Sequence, residues 1–101
     1  MEEQKQYKIA VMPAADRDID TIADYLNTIS EQTALKHLDK LEREINSLRQ
    51  MPFRCPLARN EEYAKKGYRY LIINNYLVFF TVSGETVQIR RIIDGRSNYY
   101  G

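Results

Sequence analysis

The sequence predicts an α+β domain in which a helical hairpin packs on a small, mainly antiparallel sheet, in the order β-α-α-β-β-β. Three observations predict it: a short alternating segment near the N-terminus, two stretches whose apolar residues step by 4, 3, 4 and 3, and three alternating runs separated by short turns. A length of 101 residues suits one domain, so we expect residues 1–101 to form a single unit.

The first strand and the first helix are predicted next to each other. Tyr7, Ile9 and Val11 alternate with polar or small residues and indicate a strand that stops before Pro13. Proline suits the first turn of a helix, where its missing N–H is not needed. The helix that follows has a single apolar stripe, formed by Ala15, Ile19, Ile22, Leu26 and Ile29.

A second helix is predicted directly after the first. Ser30 is a suitable N-cap, and Met51-Pro52 ends the helix because the residue before a proline avoids the helical region. Residues 52–67 are predicted to be a loop, which is long for a compact domain. The apolar stripe of this helix is Ala34, Leu38, Leu41, Ile45 and Leu48.

The last third of the chain is predicted to be a meander of three strands. The strands are Tyr68–Ile73, Tyr76–Val82 and Thr86–Ile93, joined by the two-residue turn Asn74-Asn75 and the three-residue turn Ser83-Gly84-Glu85. With symmetric turns, Arg69 faces Phe80 and Phe80 faces Gln88. Arg69 and Arg90 then share one sheet face, while Arg91 lies level with Leu77 and points to the other face.

Composition excludes several classes of protein. One cysteine and one histidine cannot supply a disulfide framework or a zinc cluster of the usual ligand count. The first residues lack the basic and apolar regions of a secretory signal, and no apolar run approaches the length of a membrane span. We therefore expect a cytoplasmic protein with no metal, no cofactor and no membrane partner.

Charge is distributed unevenly along the chain. Residues 1–64 carry 9 basic and 12 acidic side chains, a net charge of −3, whereas residues 65–101 carry 6 basic and 2 acidic side chains, a net charge of +4. The late basic residues are Lys65, Lys66, Arg69, Arg90, Arg91 and Arg96. They form either a solvated face or a surface for an anionic partner, and Tyr99 and Tyr100 add aromatic rings to the same end.

Two stretches of the sequence resemble a known superfamily. "RCPLARNEEYAKKGYRYLIINNYLVFFTV" and "VQIRRIIDGRSNY", with the order of elements and the helical hairpin, are similar to the RelE/ParE toxins of bacterial type II toxin–antitoxin modules. The resemblance runs from about Tyr7 to Tyr99. The N-terminal pattern "A..DI..I..YL" is typical of the ParE-like branch.

The resemblance implies a toxin that inhibits bacterial growth and is held inactive by a cognate antitoxin. RelE-type members cut messenger RNA in the ribosomal A site without a metal ion, and ParE-type members poison DNA gyrase. For a nuclease, the resemblance places Arg69, Arg96 and Tyr99 at catalytic positions. For target or antitoxin binding, it adds the other late basic residues with Asp94 and Tyr100. Contact with DNA is expected only indirectly, through the antitoxin.

The residues themselves favour the branch without catalysis. RNA cleavage needs a general base and a general acid, and arginine is a poor base because its pKa exceeds 12. No histidine follows His37; Asp94 lies near a position where some nuclease relatives carry one, and Glu61 or Glu62 could serve only by folding back over the sheet. A gyrase poison is therefore preferred, with a ribosome-dependent mRNA endonuclease, a degenerate non-toxic relative and a stand-alone adaptor as alternatives.

Overall fold

The computed structural model describes residues 5–95. It confirms the predicted class, a helical hairpin on a four-stranded sheet, and adds a third, short helix. The helices are α1 (Pro13–Ile29), α2 (Glu31–Asn46) and α3 (Glu61–Lys65), and the strands are β1 (Lys8–Val11), β2 (Arg69–Ile73), β3 (Tyr76–Ser83) and β4 (Thr86–Asp94). Two 3-10 turns, Ser47–Arg49 and Pro52–Arg54, follow α2.

The strand order in the sheet is β1-β4-β3-β2. β3 is antiparallel to β2 and to β4, while β1 runs parallel to β4, with Ile9 opposite Val87. Consequently β1, β2 and β4 all begin at the same end of the sheet. β1 and β2 are the two edge strands.

The helical hairpin covers one face of this sheet. Ser30 begins α2 as predicted, because its hydroxyl accepts a hydrogen bond from the Thr33 N–H at 2.9 Å. α1 packs on β4 and α2 reaches β2. Between the helices and the sheet lies the main core, whose fully buried members include Leu48, Val78, Phe80, Val87 and Ile89.

Two predictions about the helices and the loop were wrong. Ile29 is 57% exposed, as is its neighbour one turn earlier, Tyr25 (58%), so the described chain leaves the last turn of α1 uncovered. The predicted loop of residues 52–67 contains the second 3-10 turn and α3. α3 is stabilised by Asn60, whose side chain accepts from the Tyr63 N–H at 3.1 Å.

The turn between β3 and β4 is shorter than predicted, and the register of the two strands shifts. Ser83 pairs with Thr86, so only Gly84 and Glu85 form the turn, with Gly84 at φ +60°. A β-bulge between Phe79 and Phe80 adds one residue to β4. Its consequences for the arginines are described below.

Candidate functional site

The face of the sheet opposite the helical hairpin is open over much of its area. Its apolar part lies on β2 and β3, where Leu77 and Phe79 are buried against Ala58 from the preceding loop. Tyr63 on α3 lies 5.4 Å from the ring of Tyr68 and 6.5 Å from that of Phe79. The loop of residues 57–67 therefore packs against this apolar cluster and covers part of it from solvent.

A small cavity opens on this face beside the aromatic cluster. Its volume is about 50 Å³, and it is lined by Arg59, Tyr70, Ile72, Leu77 and Phe79. Ile72 is 63% exposed although it lies in the middle of a strand. An exposed isoleucine beside an arginine and two aromatic rings has the composition of a protein interface.

Arg90 lies on the open face as part of a polar network. Its Nε donates to Thr81 Oγ1 at 3.1 Å and its Nη2 donates to Gln88 Oε1 at 3.0 Å. The Thr81 hydroxyl donates to the same Gln88 oxygen at 3.0 Å. This network holds the guanidinium flat against the sheet, next to the apolar cluster.

A shorter turn separates Arg69 from Arg90, which were predicted to share a face. Arg69 does lie opposite Phe80, but Phe80 pairs with Ile89 rather than with Gln88, because the turn between β3 and β4 has two residues rather than three. Since successive strand residues alternate between faces, this one-residue shift puts Arg69 on the hairpin side and Arg90 on the open side. The prediction assumed a symmetric three-residue turn.

The side chain of Arg69 is fixed by the loop that precedes β2. Its Nη1 donates to the carbonyl oxygen of Cys55 at 2.6 Å, and its Cζ lies 5.1 Å from the centre of the Phe53 ring. Arg69 therefore ties the start of β2 to the segment after α2.

Arg91 was predicted to be level with Leu77 but lies opposite Phe79, because the shorter turn and the bulge each shift the register by one residue. Its Nε and Nη2 donate to the two carboxylate oxygens of Asp18 at 2.7 and 3.1 Å. Asp18 also accepts from the Ile92 N–H at 2.8 Å. The bidentate pair joins α1 to β4.

The remaining predicted residues lie at the ends of elements. Lys65 and Lys66 are exposed at the C-terminal end of α3. Asp94 is partly buried at the end of β4, opposite Tyr76. The predicted residues Arg96, Tyr99 and Tyr100 lie outside the described part of the chain.

A second candidate surface is a groove along the edge strand β1. Its volume is about 720 Å³. The apolar lining consists of Ile9 and Val11 from β1, Ile19 from α1, and Leu38, Leu41 and Ile45 from α2. Glu42, Arg43, Asn46 and Arg49 also line it and supply the polar part. Its dimensions and lining suit a peptide segment rather than a small molecule.

Two chemical features bear on catalysis. Within residues 5–95 no group of three or more histidine, cysteine, aspartate or glutamate side chains could hold a metal ion. Burial raises the pKa of the Cys55 thiol above its usual value of 9.0, although the charges of Arg54 and Arg69 oppose the shift. Cys55 is therefore a neutral, structural thiol rather than a nucleophile.

Sequence reasoning missed Phe53, Arg59 and Asp18 as members of these surfaces. Phe53 and Arg59 lie in the stretch predicted to be an irregular loop, so no periodicity marked the direction of their side chains. Asp18 lies near the start of α1, where a carboxylate also complements the helix dipole and so does not by itself indicate a distant partner. Its distance of 73 residues from Arg91 hid the pair.

Comparisons with known proteins agree on one family. The model of a family described as "ParE toxin of type II toxin-antitoxin system, parDE" matches residues 9–99. Eleven chains of solved structures match, among them one from the chromosomal ParDE toxin–antitoxin system of P. aeruginosa. It is 26% identical, with a TM-score of 0.73, and the match covers 89% of this chain and 97% of that one. No curated protein matches the sequence significantly.

Proposed function

Because this chain belongs to the ParE toxin family of type II toxin–antitoxin systems, we propose that it inhibits bacterial growth by poisoning DNA gyrase. The observation that carries this proposal is the family match over residues 9–99, almost the whole chain. The activity places the protein in the cytoplasm, where gyrase acts on DNA. No helix among residues 5–95 is long and apolar enough to cross a membrane.

The environment of Arg69 supports a non-catalytic mechanism. A metal-free nuclease needs a base or acid beside the cation that holds the phosphate. The hydrogen bonds of Arg69 go to the backbone carbonyls of Phe53 and Cys55, and its guanidinium packs on the Phe53 ring. None of these partners can transfer a proton.

The open face is the proposed contact surface for gyrase. It combines the exposed Ile72, the guanidinium groups of Arg59 and Arg90, and the aromatic cluster around Phe79. Arginine and aromatic side chains around an apolar centre are typical of the residues that dominate binding energy at protein interfaces.

The antitoxin is proposed to bind the groove along β1. An amphipathic helix or strand of the antitoxin would place its apolar side on Val11, Leu38 and Leu41 and its polar side toward Glu42 and Arg49. β1 is an edge strand, so its outer side can also pair with an added strand. The toxin would meet its antitoxin and its target on different faces of the sheet.

The test is controlled expression in bacteria with two readouts: gyrase–DNA cleavage complexes trapped by detergent, and cuts in messenger RNA mapped at ribosomal A sites. We expect gyrase complexes and intact mRNA. The variants Ile72→Asp and Arg90→Gln should lower the amount of trapped complex, while Leu35→Asp on the exposed side of α2 should not. Circular dichroism of each purified variant controls for folding.

Two outcomes would contradict the proposal. Cuts at A sites without gyrase complexes would assign the chain to the nuclease branch, and a normal growth rate with full expression would show that the chain is a non-toxic relative.

A further inference from the structure

We propose that the surface around Tyr7 and Phe53 binds a single-stranded segment of nucleic acid, with its phosphates on a cluster of cations and a base stacked on Phe53. We name this surface the basic end. Its cations are Lys5, Arg49, Arg54 and Arg69. The inference goes beyond the proposed action on gyrase, and it revises the expectation that the chain meets DNA only through its antitoxin.

Rings and cations alternate along this surface. The Lys5 Nζ lies 5.3 Å from the centre of the Tyr7 ring, and the Tyr7 ring lies edge-on to that of Phe53, 6.3 Å away. The Arg69 guanidinium also lies over the Phe53 ring, with its Cζ 5.1 Å from the ring centre. Single-stranded nucleic acids bind to this combination, because cations follow the phosphates and aromatic rings accept the bases.

Phe53 is exposed although it contributes nothing to the core. Its exposed fraction is 55%, and the adjacent Met51 is 60% exposed. Arg69 lies over the ring and Tyr7 contacts it at an interplanar angle of 78°, while more than half of the side chain stays exposed to a ligand. A phenylalanine in this state is available for stacking.

The backbone around Phe53 is strained and held in place. Met51 has φ 51°, a left-handed conformation that is unfavourable for a residue with a side chain. Arg54 stabilises the turn by donating to the carbonyl of Gln50 at 2.7 Å and to the hydroxyl of Ser47 at 3.1 Å. Backbone strain that the surroundings enforce is characteristic of functional segments, and the strained residue here lies two positions before the exposed Phe53.

The cations of the basic end are not neutralised by nearby carboxylates. Among residues 5–95, none of the four forms an ion pair, whereas Arg43 pairs with Asp39 and Arg91 pairs with Asp18. Glu42 lines the groove together with Arg49 but does not pair with it. A group of unpaired cations creates a positive potential that attracts phosphates.

A single strand fits better than a duplex. In a duplex the faces of the bases are hidden by stacking, so the Phe53 ring could contact only the backbone. An unpaired base can turn toward the ring while its phosphates reach the cations on either side. DNA and RNA share these phosphate and base groups, so the experiment compares both.

The experiment measures the anisotropy of labelled oligo(dT) and oligo(rU), each about 12 nucleotides long, with the purified full-length toxin in the absence of gyrase. Salt is varied between about 50 and 200 mM. A DNA duplex of equal length and polyglutamate as competitor complete the set. Failure of this test leaves the gyrase proposal intact, because gyrase is absent.

Two variants locate the site. Phe53→Leu keeps an apolar side chain but removes the ring, and we expect the dissociation constant to rise about tenfold, within the range measured for loss of one stacked base. Lys5→Gln should lower the salt slope by about 0.7, the value for one phosphate of a single strand. The matched controls are Tyr25→Leu and Lys36→Gln, which change an exposed ring and an exposed cation on the helical hairpin.

Tighter binding of the single strands than of the duplex, weakened by Phe53→Leu but not by Tyr25→Leu, is the expected result. A preference for oligo(dT) or for oligo(rU) then identifies the natural strand. The proposal is overturned if no oligonucleotide binds at the lowest salt or if the duplex binds as tightly as the single strands. It is also overturned if Phe53→Leu and Tyr25→Leu have the same effect on the dissociation constant. Equal competition by polyglutamate would also overturn it, since the site would then recognise charge alone.

Discussion

Asp18 joins two parts of the chain that lie far apart in the sequence. Its carboxylate binds the Arg91 guanidinium and also accepts the Ile92 N–H, and its side chain is only 16% exposed. A carboxylate that satisfies a strand N–H and a cation at once contributes more than an exposed ion pair does.

We expect Asp18→Ala to lower the free energy of unfolding by about 1–3 kcal/mol, because the Ile92 N–H loses its charged partner. The measurement is urea denaturation followed by circular dichroism. Asp39→Ala is the matched control: it also removes a helical aspartate paired with an arginine, but that pair is 65–67% exposed, and its loss should cost less than about 0.5 kcal/mol. Equal costs for the two variants would refute this account of Asp18.

The Cys55 thiol contributes to the loss of folding stability at alkaline pH. Burial raises the pKa of its thiol above 9.0 in the folded chain. The unfolded chain then releases the proton first, so the thiol's contribution to stability is complete below pH 9.0 and is lost as pH rises through the folded pKa.

The unfolding free energy of the wild type should therefore fall more steeply above pH 9.0 than that of Cys55→Ala. Parallel curves for the two proteins, measured by urea denaturation at matched pH values, would show that the thiol titrates alike in both states. Other groups that titrate in this range cancel in the comparison.

At the scale of elements, the regular periodicities were reliable guides. The 4-3-4-3 stripes predicted α1 and α2, and the alternating runs predicted β2, β3 and β4 to within about two residues at each end. α3 was missed because five residues contain too few turns to show a period. The bulge was missed because no residue type in β4 marks where the extra residue is inserted.

The turn after α2 offers a direct test of backbone strain. Met51 has positive φ and its side chain is exposed, so Met51→Gly should raise the free energy of unfolding by about 0.5–1 kcal/mol by removing the penalty of the left-handed conformation. The control is the neighbouring Gln50, at φ −120°, where glycine should destabilise by a similar amount. The measurement is the melting temperature of each variant compared with that of the wild type. A lower melting temperature for Met51→Gly would mean that its side chain contributes packing that outweighs the strain.

At the scale of the whole molecule, the chain presents separate surfaces for separate partners. The groove along β1 and the open face lie on opposite sides of the sheet, whereas the basic end adjoins the groove and shares Arg49 with it. Damage to the groove away from Arg49 should therefore leave the open face able to function.

Val11→Asp tests this separation. Val11 lines the groove and is 43% exposed, so a carboxylate there should be tolerated by the fold while it weakens binding of the antitoxin by tenfold or more. Bacteria that co-express the antitoxin should then grow normally with the wild-type toxin but poorly with this variant. Leu35→Asp is the control, since Leu35 is exposed on α2 outside the groove. Rescue of both variants by the antitoxin would exclude the groove as its site.

Periodicity, caps and turn residues act over a few positions, so the order of the longer elements, most of the core and the family were predicted from the sequence. Which side chains meet depends on the tertiary structure. The two-residue turn put Arg69 and Arg90 on opposite faces, and the hairpin brought Asp18 to Arg91. The linear division of charge into −3 and +4 was likewise misleading, since three of the four cations of the basic end come from the first 64 residues. Electrostatic potential depends on how far apart charges lie in space. Those distances are set by the strand registers and packing contacts of the whole fold, which a linear count of charges does not contain.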